Sequence, residues 1–472
     1  MFATLLLALN VAVASVASDG LPAKAPKAVG MSAERLAAID RVVNRGLKAG
    51  GYPGAAVVVG RKGAAVWQRG FGRLGWTSSE EAVSPDRTIY DLASLTKVVG
   101  TTTAIMILFD EGRIALDAPV AQYLPAFSGG FKDSVTIRHL LTHRSGLPPG
   151  RDLWRGAHSA EEARAMVIET PLVCKPGQCY QYSDLGADVL GMVAEVVAAK
   201  PLDQFLEERV WQPLGMNDTF YRPADSLKVR IAPTEMTPPR GYPVRGEVHD
   251  ENAYALGGVA GHAGLFSTAA DLSIFAQMML NKGEYNGVRI ISDSTVELFT
   301  RRAAGSRALG WDTAEGGVGS GTYMSDHAYG HTGFTGTSIW IDPDREMFVV
   351  LLTNRVHAAR ARRPAKVISD VRNDLADLSA LAVLDAPDGV LAMPAAFRAD
   401  RAIGWNSADR SARRSRSTRG RSAARRTTSS RSSKKASSSK RTASSSKAKK
   451  PAAKSSSSAA KKKKPVAKKS KK

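Results

Sequence analysis

Only two cysteines occur in 472 residues, and both fall in Cys174-Lys-Pro-Gly-Gln-Cys179. Without a second Cys pair, four-ligand zinc sites of the finger or ribbon type are excluded, and no metal centre is expected. Acidic residues are missing altogether from 410 to 472, a stretch that holds 25 Lys and Arg. That absence dominates the formal net charge of +22, because the rest of the chain holds 41 basic and 44 acidic residues, a balance of −3. A near-neutral body therefore carries a basic tail, and the two are read separately. Long apolar runs are also missing. The run from Phe2 to Val16 is interrupted by Asn10 and falls short of the ~20 residues a spanning helix needs, which argues against a multi-span membrane protein. There is no Gly-x-Ser-x-Gly elbow, which argues against an ordinary α/β-hydrolase. The glycines at 257, 258, 261 and 264 lack the strand–turn–helix setting of a nucleotide loop, so no cofactor is expected.

What is present points to export. The run from Phe2 to Val16 and the small residues Ala14-Ser-Val-Ala-Ser18 read as a secretory signal peptide over residues 1–18. Its first residues carry no Lys or Arg, and an uncleaved N-terminal anchor is the other reading. The expected location is periplasmic or secreted, with no transmembrane segment after processing. Pro176-Gly177 can set a tight turn between the two cysteines. In an oxidising compartment Cys174 and Cys179 would close as a disulfide; in a reducing one they would stay as buried thiols.

Along the body, residues 19–30 read as a linker, 31–385 as the folded domain, and 386–404 as a second linker. Leu36, Ile39, Val42, Val43 and Leu47 form one helical stripe behind a capping Ser32. Ala55–Gly60 and Ala64–Phe71 read as strands, as do Thr337–Ile341 and Met347–Thr353 around Asp342-Pro-Asp-Arg345. Ser94–Glu111 reads as one buried helix, residues 115–300 as mostly helix and loop, and residues 365–382 as a last helix. Strands thus open and close the body while helices fill its middle. This predicts an α+β fold: an antiparallel sheet built from both chain ends and flanked by helices, plus an inserted all-α lobe, with a cleft between. From residue 405 the chain is mostly Ser, Lys, Arg and Ala, too poor in apolar side chains to offset its ordering entropy, so disorder is expected. As a polycation this tail suits anionic cell-envelope polymers, with nucleic acid second; a plain solubilising tail is the alternative.

Ser94-Leu-Thr-Lys97 carries the chemistry. Residues three apart on a helix share a face, which puts the Lys97 amine beside the Ser94 hydroxyl, and a helix start favours an alkoxide there. A serine hydroxyl needs such help to act as a nucleophile. The same spacing recurs in the tail, at Ser432 and Lys435 for example, but only Ser94 sits in an apolar helix behind Tyr90-Asp-Leu-Ala93. Tyr182-Ser183-Asp184 follows the cysteine loop, and His331-Thr332-Gly333-Phe334 precedes the terminal hairpin. A phenol beside an ammonium accepts a proton readily. A cationic His331 could hold a substrate carboxylate, and the Ser94 and Phe334 backbone N–H groups could form an oxyanion hole. His139 and His143 stand four apart, but no glutamate lies between them and no third ligand follows, so structural hydrogen bonding is expected of both.

Ser-x-x-Lys, Tyr-x-Asp and His-Thr-Gly in this order resemble the serine β-lactamase and penicillin-binding protein superfamily, nearest its class C branch with D-Ala-D-Ala carboxypeptidases and esterases. The stretches Thr136–Leu147 and Gly257–Thr268 are similar to that branch too. The resemblance covers residues 30 to 385 and implies an acyl-enzyme on Ser94, with Lys97 and Tyr182 moving protons. Two residues depart from the commoner pattern. Asp184 stands where Asn is usual and would hold Lys97 protonated, shifting the base role toward Tyr182. His331 stands where Lys is usual, and a charged His331 predicts that affinity for anionic substrates falls as pH rises through ~6.5. The substrate implied is a D-Ala-D-Ala-type peptide, a β-lactam or a small ester. The alternatives are a catalytically silent penicillin-recognising or envelope-binding protein and, lower, a nucleic-acid-binding protein acting through its tail.

Overall fold

The computed structural model describes residues 20–406, apart from 237, 317 and 358–363. The signal segment lies outside these residues, as does the tail beyond 406. Among the described residues the main sheet has six strands: β1 (Gly54–Arg61), β2 (Ala64–Gly72), β3 (Asp312–Thr313), β4 (Tyr329–Thr332), β5 (Ser338–Asp342) and β6 (Met347–Thr353), in the order β2-β1-β6-β5-β4-β3. All neighbours are antiparallel. Val57 of β1 faces Arg69 of β2 on one side and Leu351 of β6 on the other, so strands from the two ends of the body meet at the sheet's centre.

Period-two alternation sorts these strands between two cores. Ala55, Val57, Val59, Val349 and Leu351 face α1 (Ala33–Lys48) and the long C-terminal helix Lys366–Leu381. Ala56, Val58, Val350, Leu352 and Ile339 face the opposite way, toward the helix Ala269–Leu280 and the helical middle. Both faces are therefore covered, which is why β1 is buried at every position. The stripe read from sequence packs as expected, and Ser32 caps α1 by accepting the Arg35 N–H. The fold is the α+β arrangement anticipated from the strand–helix–strand order.

Three stretches differ from the sequence reading. The helix expected from Ser94 begins as a 3-10 turn (Ala93–Leu95), passes through a π-helical stretch (Lys97–Thr102) and becomes α2 (Thr103–Asp110). Of the expected linker over residues 19–30, the described residues 20–30 pack onto the body: Leu21 is buried and Ala23 bridges to Ala65. Part of 386–404 does the same. Phe397 and Ala399 are buried, and the Arg398 guanidinium pairs with Asp374 and Asp377. Trp405, placed at the head of the tail by its neighbours' composition, is buried too and donates its indole N–H to Asp370 Oδ2 at 2.8 Å. Phe397, Ala399 and Trp405, together with the Arg398 ion pairs, dock this segment.

Candidate active site

The nucleophile turn is held from several sides. Ala93 adopts a left-handed φ of +48°, a strained conformation for a residue with a Cβ, and its N–H is held by Asp91 Oδ1 at 2.8 Å. The Asp91 and Leu92 carbonyls accept hydrogen bonds from the Thr335 and Thr337 hydroxyls, each at 2.8 Å. The turn that follows β4 is thereby fastened beside Ser94. Gly333 makes this approach possible, since a Cβ there would run into the Leu92 carbonyl and Thr337 Oγ1. Every residue from Asp91 to Gly100 is buried except Ser94, which stays partly open to solvent.

Lys97 Nζ stands 3.0 Å from Ser94 Oγ. It also reaches Asp184 Oδ1 at 2.8 Å and the His262 carbonyl at 3.1 Å, and it hydrogen-bonds Tyr182. The side chain is 4% exposed. Burial by itself would push this amine down, but the Asp184 carboxylate and Tyr182 push it further the other way, so Lys97 is held well above an ordinary lysine. The amine is charged at neutral pH.

Tyr182 lies among cations and rings. Its ring centroid is 5.2 Å from Lys97 Nζ, 5.8 Å from the Arg307 guanidinium carbon and 4.5 Å from the His143 ring. His143 is buried, with Nδ1 accepting the Ser183 N–H at 3.2 Å. His139 instead caps its own helix, exchanging hydrogen bonds with Thr136. Both histidines make structural hydrogen bonds, and only His143 lies against the site, beside Tyr182. Ser183 caps the helix α3 (Asp184–Ala198), which fixes Asp184 in the first turn where it faces Lys97. Cys174 and Cys179 are joined as a disulfide with Cα atoms 6.5 Å apart, just ahead of Tyr182.

His331 is not the cation that the sequence suggested. Its ring is 2% exposed, stacked 6.1 Å from Tyr182, with Nδ1–H directed to the Thr332 carbonyl at 2.9 Å. Nε2 has no hydrogen-bond partner among the described residues. Burial, together with the Arg307 and Lys97 charges, holds the imidazole well below its ordinary range. It is neutral, and any positive charge offered to a substrate comes from elsewhere. Thr332 is half-buried, Gly333 is buried, and Phe334 is 49% exposed with the Arg355 guanidinium 5.0 Å above its ring.

The family described as Beta-lactamase matches residues 39–372. The chain belongs to the β-lactamase family. A protein of Escherichia coli (strain K12) named "Putative D-alanyl-D-alanine carboxypeptidase" is 33% identical over 392 residues, spanning 75% of this chain and 90% of that one. A Salmonella schwarzengrund (strain CVM19633) protein of the same name is 33% identical over 395 residues, spanning 76% and 91%. Among solved structures, a penicillin-binding protein homolog from Caulobacter crescentus shares the fold with a TM-score of 0.59 at 21% identity, covering 74% of this chain and 99% of that one. A class C beta lactamase shares it with a TM-score of 0.59 at 17% identity, covering 73% and 98%.

Within this β-lactamase-family site the structure brings together Ser94, Lys97, Tyr182 and Asp184, and sets the Gly333 turn against them. Sequence reasoning missed Arg307, Asp91 and His262. Arg307 is buried in an ion pair with Asp312 while facing Tyr182. His262 and Arg307 are far from Ser94 in the chain and no local signal links them to it, whereas Asp91 stands three residues before Ser94 and only its hydrogen bond to Ala93 shows its role.

Proposed function

We propose that this chain is an exported serine hydrolase of the D-Ala-D-Ala carboxypeptidase type that forms an acyl-enzyme on Ser94. The observation that carries the reading is a partly open hydroxyl 3.0 Å from a buried ammonium, itself held by Asp184 and Tyr182. With Lys97 protonated, Tyr182 acts as the phenolate: it takes the Ser94 proton and becomes a neutral phenol, while the Lys97 ammonium beside it balances the negative charge it starts with. Ser94 Oγ then bonds to the substrate carbonyl carbon. The developing oxyanion is met by the Ser94 and Phe334 backbone N–H groups, and the proton passes to the leaving amine as the C–N bond breaks. Water attacking the ester by the reverse proton route frees Ser94.

A peptide ending in D-alanine is the favoured substrate, supported by the names of the 33%-identical relatives. The cations Arg355 and Arg372 around the β4 turn also suit a substrate carrying a carboxylate. Export is supported by the apolar run ending at Val16 and by the Cys174–Cys179 disulfide. The test is acylation by a fluorescent penicillin, followed by turnover of a D-Ala-D-Ala peptide, a chromogenic cephalosporin and a nitrophenyl ester. The reading expects labelling of the wild type but not of Ser94→Ala, and fastest turnover of the peptide. Labelling without any turnover would leave a silent penicillin-recognising protein instead.

A further inference from the structure

The buried charge cluster behind Lys97 has no part in the scheme above. His262 is 2% exposed, yet its Nδ1 lies 2.6 Å from Asp188 Oδ1 and its Nε2 2.9 Å from Asp250 Oδ1. Asp188 also accepts the His262 backbone N–H at 3.3 Å. Asp250 caps the helix Glu251–Ala255 through the Asn252 and Ala253 N–H groups, each at 2.9 Å. One carboxylate on each ring nitrogen requires both nitrogens to donate, so the ring carries a proton on each. Burial would push the ring down, but Asp188 and Asp250 hold it well above an ordinary histidine.

Two carboxylates hold this ring, and the backbone on which it sits is held as well. Asp188 lies one turn beyond Asp184 on α3, so the helix that supplies the Lys97 counter-charge also supplies the first clamp on His262. Gly261 presses against α3 so closely that a Cβ would meet the Ala187 carbonyl, and its own carbonyl accepts the Thr101 hydroxyl at 2.7 Å. The His262 carbonyl is then the next acceptor along, 3.1 Å from Lys97 Nζ. A buried ionic cluster of this kind is weak evidence for stability, because well-packed apolar groups of similar volume commonly do as well. What it does supply is a fixed position for one carbonyl.

We propose that His262 is a positioning residue for the Lys97 amine: clamped between Asp188 and Asp250, it fixes the main-chain carbonyl that, with Asp184, sets where Nζ stands relative to Ser94. The proposal rests on the reading of Lys97 as part of the reaction machinery. A displacement of about 1 Å at such a group costs on the order of 100-fold in rate, with little effect on substrate binding.

The experiment uses the full chain and p-nitrophenyl butyrate, followed over hours so that slow variants remain measurable. His262→Gln should lower kcat about 100-fold while KM stays within about twofold. In a Lys97→Ala background the same substitution should cost nothing further, because a residue acting through Lys97 has nothing left to position. An unchanged kcat in a folded His262→Gln protein would overturn the proposal, and so would an undiminished further loss in the Lys97→Ala background. If thermal melting shows that His262→Gln does not fold, Asp250→Asn takes its place in the same cycle with the same two criteria, since its carboxylate is one-third exposed. Ester hydrolysis that survives Ser94→Ala would instead bring down the acyl-enzyme reading on which the proposal stands. Loss in Ser94→Ala with a silent His262→Gln would bring down the proposal alone.

Discussion

At the scale of single residues, the protonation of Lys97 turns on Asp184. Burial works against the ammonium and the carboxylate 2.8 Å away works for it. Asp184→Asn removes the largest favourable influence, so the amine should lose its proton at lower pH, and the alkaline limb of the kcat/KM profile should move to lower pH with it. An unaltered profile would contradict the role given to Asp184. Because the folded lysine sits above its unfolded value, its stabilising contribution is fully present below the ordinary lysine range and is lost only as pH rises through the folded value. Neutral His331 has the opposite sign. Its folded value is depressed, so its contribution is present above ~6.5 and is lost as pH falls toward the folded value. His143, also depressed, and His262, held above its ordinary value, act alike in wild type and variant, so the difference isolates His331: on acidification below ~6.5 the wild type should lose more melting temperature than His331→Gln, as scanning calorimetry would read.

At the scale of elements, the turn after β4 and the turn before Ser94 behave as one piece, tied by Thr335, Thr337 and the close approach at Gly333. Gly333→Ala should force these turns apart. The expected result is a loss of kcat on the order of 100-fold, the cost of misplacing one oxyanion donor, with destabilisation of about 1–3 kcal/mol by chemical denaturation. Much of this level was legible in the sequence. Both hairpins and the α1 stripe follow from periodicity, and the Ser94–Lys97 contact follows from spacing. The π-helical stretch at Lys97–Thr102 was not, because its apolar residues read equally well as an α-helix. His262 was not either. Asp188 is 74 positions from it and Asp250 is 12, so only the folded chain brings the acids to either side of the ring. The charge of His331 was misjudged for a related reason: the sequence gives the residue type, whereas burial and the neighbouring Arg307 decide its ionisation.

At the scale of the whole molecule, the body ends later than its composition suggests. Trp405 packs into the core beside the C-terminal helix, so removing residues 407–472 should leave both melting temperature and ester turnover unchanged. Trp405→Ala should cost about 3 kcal/mol by denaturant titration, as for other buried aromatics. The same truncation should abolish retention on an anionic polysaccharide matrix, and retention of the full chain should weaken steeply with salt. Equal retention of both proteins would count against the anionic-polymer binding expected of the tail.

The pairing of β1 with β6 also governs when the chain can fold. Ala55 meets Thr353, so the middle of the sheet stays open until nearly 300 further residues have been made. A nascent chain must meanwhile carry the Ala55–Val59 run of β1 without its β6 partner, the kind of long-range pairing that slows folding and favours aggregation of the incomplete chain. A fragment halted before residue 347 would have its nucleophile and its amine but no completed platform to seat them on.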